Sequence, residues 1–403
     1  MKLDFEKNSI RNLLTIRYDP TEKSLIPKAT WKDFNEKNQD PSGLITKNLL
    51  VNAINKKLKY FKNPISISLS SGIDSTLCLS LLRETLPDND LVGICGIFQN
   101  GFDESKQASK IAKKFDAKFK TVKMPSIYKT MPKLISITKK PKWNTYSHII
   151  AKEGKNFSDI YIAGDGADEV FGGYTFRYSK FLNSYKQSFS WKNKVKNYFE
   201  CHNRDWVPDQ KLLFGKSIKF QWNEIYNYFK PYFLNSLHPL QQIMLADYNG
   251  KLLHDFVPTS RAICKYYNLK GVFPFLDSSV RKFGLSLEIK EKYDEKTEKG
   301  KLVLRKITDT LKTKHIDEKR GFSPELWFDW NRYGKKIFEK YVLSKDSEII
   351  KNNLIDLNWI HRAFEYTEND GSIRYLNRLT SILAIEIWIR TFVSKEMTSD
   401  KKL

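Results

Sequence analysis

The chain has 403 residues, 40% of them hydrophobic and 14% aromatic, enough apolar material for one large core or two moderate ones. Its formal charge is +23, from 69 Lys and Arg against 46 Asp and Glu, a balance that raises the question of a nucleic-acid partner. No apolar run reaches the roughly 18 residues of a membrane helix, the start MKLDFEKNSIRNLL lacks the apolar stretch of a signal peptide, and four cysteines without a CxxC pair argue against a zinc ribbon or a disulfide framework. A cytoplasmic protein with buried thiols and no membrane contact is expected.

Residues 1–43 carry Pro20, Pro27 and Pro41 and no clear periodicity, and read as an N-terminal extension laid against the main body. From Leu44 a helix leads to ISISLSSGIDSTLCLSLLRE, residues 65–84. Ile65, Ile67 and Leu69 make a buried strand, and Leu77, Leu79, Leu81 and Leu82 give the next helix an apolar face. Between them runs Ser70-Ser71-Gly72-Ile73-Asp74-Ser75. Gly72 is expected to let the backbone turn sharply and approach a ligand, while the Ser hydroxyls and the orphan amides of the first helical turn aim donors at one point. Such a bend suits a phosphate. The lysine of a GK[ST] ending is missing and Asp74 stands in the turn instead. A carboxylate beside a polyphosphate implies a bridging cation, most simply Mg²⁺. An ordinary strand-to-helix turn capped by Asp and Ser can carry the same letters.

Strands over 91–98 and 118–122 and a helix over 104–115 come next. IYIAGDGADEVFGGY, residues 160–174, then repeats the plan: a short apolar strand, Gly164-Asp165-Gly166-Ala167-Asp168-Glu169, and the pair Gly172-Gly173. Three carboxylates in one glycine-rich turn repel one another unless a metal, a cation or a substrate amine offsets them. Apolar residues on both flanks leave little room for a solvated acidic loop. The alternation of strands and helices predicts a parallel sheet, with both loops at the carboxyl ends of strands, where open α/β sheets bind ligands. Past Phe176 the pattern is helical and aromatic-rich with no further convincing strand, so a helical elaboration is expected, its Trp and Tyr in the core. Residues 186–196 and the group Lys290, Lys292, Lys296, Lys299 and Lys301 each offer a basic face, which solvent explains better than a nucleic-acid groove.

Two motifs in order carry a resemblance. Ser70 to Ser75 resembles the SGGxDS pyrophosphate loop of the N-type ATP pyrophosphatases, and GDGADEVFGGY is similar to the GEGxDExFGGY of the synthetase domain of asparagine synthetases. Further marks are Asp103-Glu104, Pro274-Phe275-Leu276-Asp277, Lys301 followed by Leu304-Arg305, Lys319-Arg320-Gly321-Phe322, and a closing apolar helix around Trp388. The resemblance implies an α/β fold of the PP-loop (adenine nucleotide alpha-hydrolase) type, a parallel sheet sandwiched by helices with a helical C-terminal elaboration. On this basis the synthetase-like domain spans 44–395, with its sheet core near 44–180 and its helical part near 181–395, followed by a tail at 396–403.

It also implies the chemistry. ATP and Mg²⁺ serve as cofactors: Ser70, Ser71, Gly72, Asp74 and Ser75 cradle the phosphates, Gly164 and Gly166 border the AMP, and Asp74 and Asp168 hold Mg²⁺ against the β- and γ-phosphates. Lys301 adds positive charge to the departing pyrophosphate, and Asp165, Lys301 and Glu169 are the catalytic side chains. A small carboxylic acid attacks the α-phosphate, giving an acyl-adenylate and pyrophosphate, and ammonia or an amine then displaces AMP to form an amide. The related β-lactam synthetases and lasso-peptide cyclases close rings on an internal amine, and enzymes that adenylate a tRNA base use similar loops. An intramolecular cyclase and a tRNA-modifying enzyme therefore stand as alternatives, although no RNA-binding appendage is recognisable.

Glutamine-dependent members of the family open with a catalytic cysteine after the initiator Met, and here Lys2 follows. Nitrogen is accordingly expected as ammonia, as an amine on a substrate, or as ammonia from a separate amidotransferase subunit; a homodimer is a further expectation. Three departures stand out. Ser71 replaces the usual Gly, which is tolerable if its φ is not positive. Asp165 stands where members often carry Glu, and its carboxylate falls about an ångström short, a shift that matters for proton transfer. Gly271-Val272-Phe273 fill the place of an arginine before PFLD, which weakens the case for aspartate as the acid.

Overall fold

Five short strands, each continuous with a helix at its carboxyl end or reached through one, account for the centre of the molecule. The computed structural model describes residues 2–202, 204–311 and 324–403. The strands β1 (Ile65–Ser68), β2 (Leu91–Ile97), β3 (Lys118–Lys123), β4 (Ile160–Ile162) and β5 (Lys270–Val272) all pair in parallel, in the order β3-β2-β1-β4-β5. Ile65, Ile67, Ile94 and Ile162 are fully buried, as a parallel sheet covered on both faces requires. The edge strand β3 instead alternates half-buried residues with exposed lysines and Thr121, charges that blunt an open edge.

Helices α1 (Lys2–Ile16), α2 (Leu44–Leu58), α3 (Ile73–Thr85), α4 (Ser105–Lys114), α5 (Met131–Thr138), α6 (His148–Lys155) and α7 (Ala167–Phe171) precede a long helical region. The α/β class, the parallel sheet and the helical C-terminal part match the expectation. Strand order positions the site. The chain runs β1, β2, β3 outward in one direction and then returns to lay β4 on the other side of β1, with Ser66 opposite Tyr161 and Ile67 opposite Ile162. The crevice at such a reversal is where doubly wound sheets bind ligands.

Two expectations about the elements need correction. A strand does follow Phe176: β5 completes the sheet beside β4, and its three residues around Gly271 are too few to show a period of two. A two-residue antiparallel hairpin, Tyr293–Asp294 with Lys299–Gly300, lies beyond it. Residues 1–43 are not aperiodic throughout, because α1 buries Ile10 and Leu14 in the same apolar cluster as the C-terminal helix Ile373–Phe392. The described residues form two such clusters, one around the sheet and one holding Trp330, Trp359 and that C-terminal helix.

All four cysteines are free and buried. The later lysine group does not present one basic face, since Lys292 is 1% and Lys301 5% exposed. Among the described residues no helix is long and apolar enough to cross a membrane. Lys319, Arg320, Gly321 and Phe322 lie outside the described residues.

Candidate active site

The loop after β1 is knotted by its own serines. Ser75 Oγ accepts from Ser70 N at 3.0 Å and lies 2.9 Å from Ser70 Oγ, which in turn accepts from Gly72 N at 3.1 Å. Ser71 avoids positive φ, so its side chain is tolerated, and both its N–H (2.8 Å) and its hydroxyl (2.6 Å) donate to Glu104 Oε2. Glu104 stands in the loop that follows the neighbouring strand β2, just ahead of α4. Gly72 has φ −76 and ψ 157, a conformation open to any residue. The sharp turn expected of it is absent, and its small size matters only because a Cβ would sit 3.2 Å from Ser70 Oγ.

The loop after β4 meets the first one backbone to side chain. A Cβ on Gly164 would stand 2.8 Å from the Cβ of Asp74, so only glycine permits this approach. Gly166, at φ +93, takes the left-handed turn into α7, with Leu276 of the PFLD stretch against it. Asp277 of that stretch caps the following helix by accepting from Ser279 N at 2.9 Å.

Lys301 ties the two loops together. Its Nζ lies 2.6 Å from Asp74 Oδ1, 2.5 Å from Asp74 Oδ2 and 2.6 Å from Asp168 Oδ1. Burial alone would lower the Lys301 pKa, but the charges of Asp168 and Asp74 override it and hold the ammonium well above the ordinary lysine value. The residue is held in the left-handed region, φ 56 and ψ 38, at the start of the helix Leu302–Thr310. A non-glycine residue there costs about 1–3 kcal/mol and persists only when its surroundings over-determine it. Gly173 leaves the space for this arrangement: a Cβ there would lie 1.8 Å from Asp168 Oδ1 and 2.4 Å from Lys301 Cε.

The other two carboxyls of the motif differ. Asp165 accepts a short hydrogen bond from Ser260 Oγ. Its carboxyl is raised above the usual range by burial, with Ser260 opposing, Asp74 adding and Arg261 opposing. Glu169 is 2% exposed and accepts from Tyr174 Oη. Burial and then the Asp168 charge push it up to about 7 against that hydrogen bond.

Among the described residues no group of three or more His, Cys, Asp or Glu could hold a metal by itself. Mg²⁺ is characteristically held by one or two carboxylates together with substrate phosphates. Asp74 and Asp168, converging on one nitrogen, fit that donor set.

The structure thus brings Asp74, Asp168, Lys301, Gly164 and the Ser70 to Ser75 loop together, with Asp165 beside them and Glu169 buried against Tyr174. The sequence marked Glu104 without giving it a task, although a carboxylate in the loop after a neighbouring parallel strand was the available signal. Ser260, remote in the chain and in the helix Val257–Tyr266, left none.

The model of the asparagine synthase family matches residues 46–390. The chain belongs to the asparagine synthase family. It is 24% identical over 363 residues to the glutamine-hydrolyzing asparagine synthetase 1 of Bacillus subtilis (strain 168), covering 81% of this chain and 56% of the relative. The chain therefore spans little more than half the length of that family member. Overlays on solved structures are loose. An NH3-dependent NAD synthetase from Campylobacter jejuni gives a TM-score of 0.26 at 16% identity, over 42% of this chain and 90% of that one. An NMN synthetase from Francisella tularensis gives 0.26 at 16%, over 57% and 94%. A U34-tRNA thiolase from Methanococcus maripaludis gives 0.27 at 15%, over 74% and 89%. At these scores the overlays carry no argument, and membership of the asparagine synthase family rests on the sequence.

Proposed function

We propose that the protein is an ATP-dependent, AMP-forming ligase that adenylates a small carboxylic acid and passes the acyl group to ammonia or an amine. The observation that carries this reading is Lys301 Nζ within 2.6 Å of both Asp74 and Asp168, at the crevice between β1 and β4. Two motif loops far apart in sequence share one cation where a polyphosphate would lie.

In this reading the amides and hydroxyls of Ser70 to Ser75 bind the pyrophosphate end of ATP, and Glu104 keeps that loop in shape through Ser71. Asp74 and Asp168 would hold Mg²⁺, which when bound offsets phosphate charge. Lys301, held between the two loops, stabilises the charge gathering on pyrophosphate as it leaves. A carboxylate oxygen of the acid forms a bond to the α-phosphorus as the bond to pyrophosphate breaks. A nitrogen lone pair then attacks the acyl carbon, the carbon–oxygen bond to AMP breaks, and the amine gives up a proton. In this reading Asp165 accepts that proton, supported by its hydrogen bond from Ser260 and by burial that raises its basicity. Glu169 acts through Tyr174 as a positioning residue for the loop. An intramolecular cyclase would use the same groups with the amine carried on the acid.

Exchange of labelled pyrophosphate into ATP, screened over candidate acids with ammonia or amines, tests this reading. Acid-dependent exchange supports adenylation; release of ADP and phosphate overturns it.

A further inference from the structure

Away from the sheet edge, a cavity lies where α1 ends, walled by the rings of Tyr198, Phe199, Trp206 and Phe229 and by the side chains of Arg17 and Lys251. It offers ≈ 30 Å³ to the centres of water molecules, and since one water needs roughly 10–15 Å³ by that measure, an occupant of a few heavy atoms fits. The local fold shapes it. Arg17 leaves α1 in the left-handed region at φ 74. Tyr248–Phe256 is a π-helical stretch, a form whose wider turn re-aims side chains and recurs at functional sites. Within it Gly250 makes room for Tyr18, because a Cβ there would stand 2.1 Å from the Tyr18 hydroxyl.

The charges around this cavity do not balance. Arg17 pairs with Asp205 at 3.1 Å and Arg177 with Asp247 at 2.7 Å. Among the described residues Arg378, 4% exposed, donates only to the Asp205 carbonyl, at 2.6 Å. Lys251 makes no hydrogen bond or ion pair among the described residues, so Arg17, Arg177, Arg378 and Lys251 face Asp205, Asp247 and Asp209; the Asp255 that also acts on Arg17 is already paired with Lys142. Among the described residues the buried Arg177 Nη2, Arg378 Nε and Asp247 Oδ2 have no hydrogen-bond partner. His202 adds no charge: its Nδ1 lies 2.7 Å from the Tyr198 carbonyl, which only accepts, and its Nε2 lies 2.6 Å from Arg177 Nη1, which only donates. The imidazole is the neutral Nδ1–H form, consistent with burial holding it well below its usual value. Lys251 is pulled down to about 7, first by burial and then by Arg177, with Asp205 opposing and Arg17 adding to the pull.

We propose that this cavity binds a small oxyanion of carboxylate or bicarbonate size, seated between Arg17 and Lys251 against the aromatic wall. The anion supplies the missing negative charge and gives the Lys251 amine a hydrogen-bond partner. An added negative charge favours the ammonium form, so binding near neutral pH is accompanied by uptake of a proton at Lys251.

The test titrates the full chain with acetate, with bicarbonate and with the bulkier citrate by calorimetry, in buffers of different ionisation enthalpy. Saturable heat with acetate or bicarbonate, none with citrate, and a buffer dependence that reports proton uptake are expected; whichever small anion binds more tightly identifies the source. Lys251→Gln keeps the Arg17–Asp205 pair and is expected to weaken binding by about ten-fold or more, as loss of a charge-assisted hydrogen bond does, and to abolish the buffer dependence. Reductive methylation at pH 7, read by mass spectrometry, gives a second measure: Lys251 is expected to react ahead of exposed lysines and to be protected by the same anion. No saturable binding of either small anion and no protection of Lys251, or a Lys251→Gln variant that binds as the native chain does, overturns the proposal.

Discussion

A single ammonium group, Lys301 Nζ, holds Asp74 and Asp168 in one place, and the carboxylates hold it charged. Asp168→Asn removes one of the two charges, so pyrophosphate exchange is expected to fall by about 100-fold or more, the usual scale for losing an electrostatic group aimed at developing charge; a variant within a few-fold of native would remove Asp168 from the proposed machinery. Glu104→Ala leaves the Ser71 N–H and hydroxyl without their acceptor. An unsatisfied buried donor costs roughly 1–3 kcal/mol, and if that loss falls on the ATP-binding form of the loop, the KM for ATP rises about ten-fold or more in steady-state kinetics. Sequence reading found Asp74, Asp168 and Lys301 by their motifs. It could not find Ser260, which touches Asp165 only because separate elements meet.

At the scale of elements, the site depends on how closely the bend after β4 approaches the first turn of α3. Gly164→Ala places a methyl 2.8 Å from the Asp74 Cβ. The two loops must part, and nucleotide binding measured by calorimetry is expected to weaken by at least ten-fold. Gly173→Ala presses on Asp168 and Lys301 directly, at 1.8 Å and 2.4 Å, and is expected to abolish pyrophosphate exchange; retained exchange would show that Lys301 need not sit where it does. These glycines were legible as glycines. Their reasons differ from the sequence expectation: Gly72 was assigned a sharp turn it does not make, whereas Gly164 and Gly173 are small because side chains from other elements fill the space in front of them.

Among the described residues the molecule joins two apolar clusters, and only the first includes residues of the two motif loops. Leu383 is fully buried in the second, in the C-terminal helix. Leu383→Ala is expected to cost about 2–5 kcal/mol in denaturant unfolding while leaving the KM for ATP within two-fold; a large rise in KM would mean that the second cluster positions the site. The sequence by itself determined the fold class, four of the five parallel strands and the two loops, because apolar periodicity and glycine–carboxylate patterns are local properties of the chain. The tertiary structure alone decided that β4 lies against β1, that a three-residue strand around Gly271 closes the sheet, and that Lys301, which the sequence also grouped with surface lysines, is buried between two aspartates. Strand order and charge pairing depend on contacts between residues far apart in the chain, and no local pattern records them.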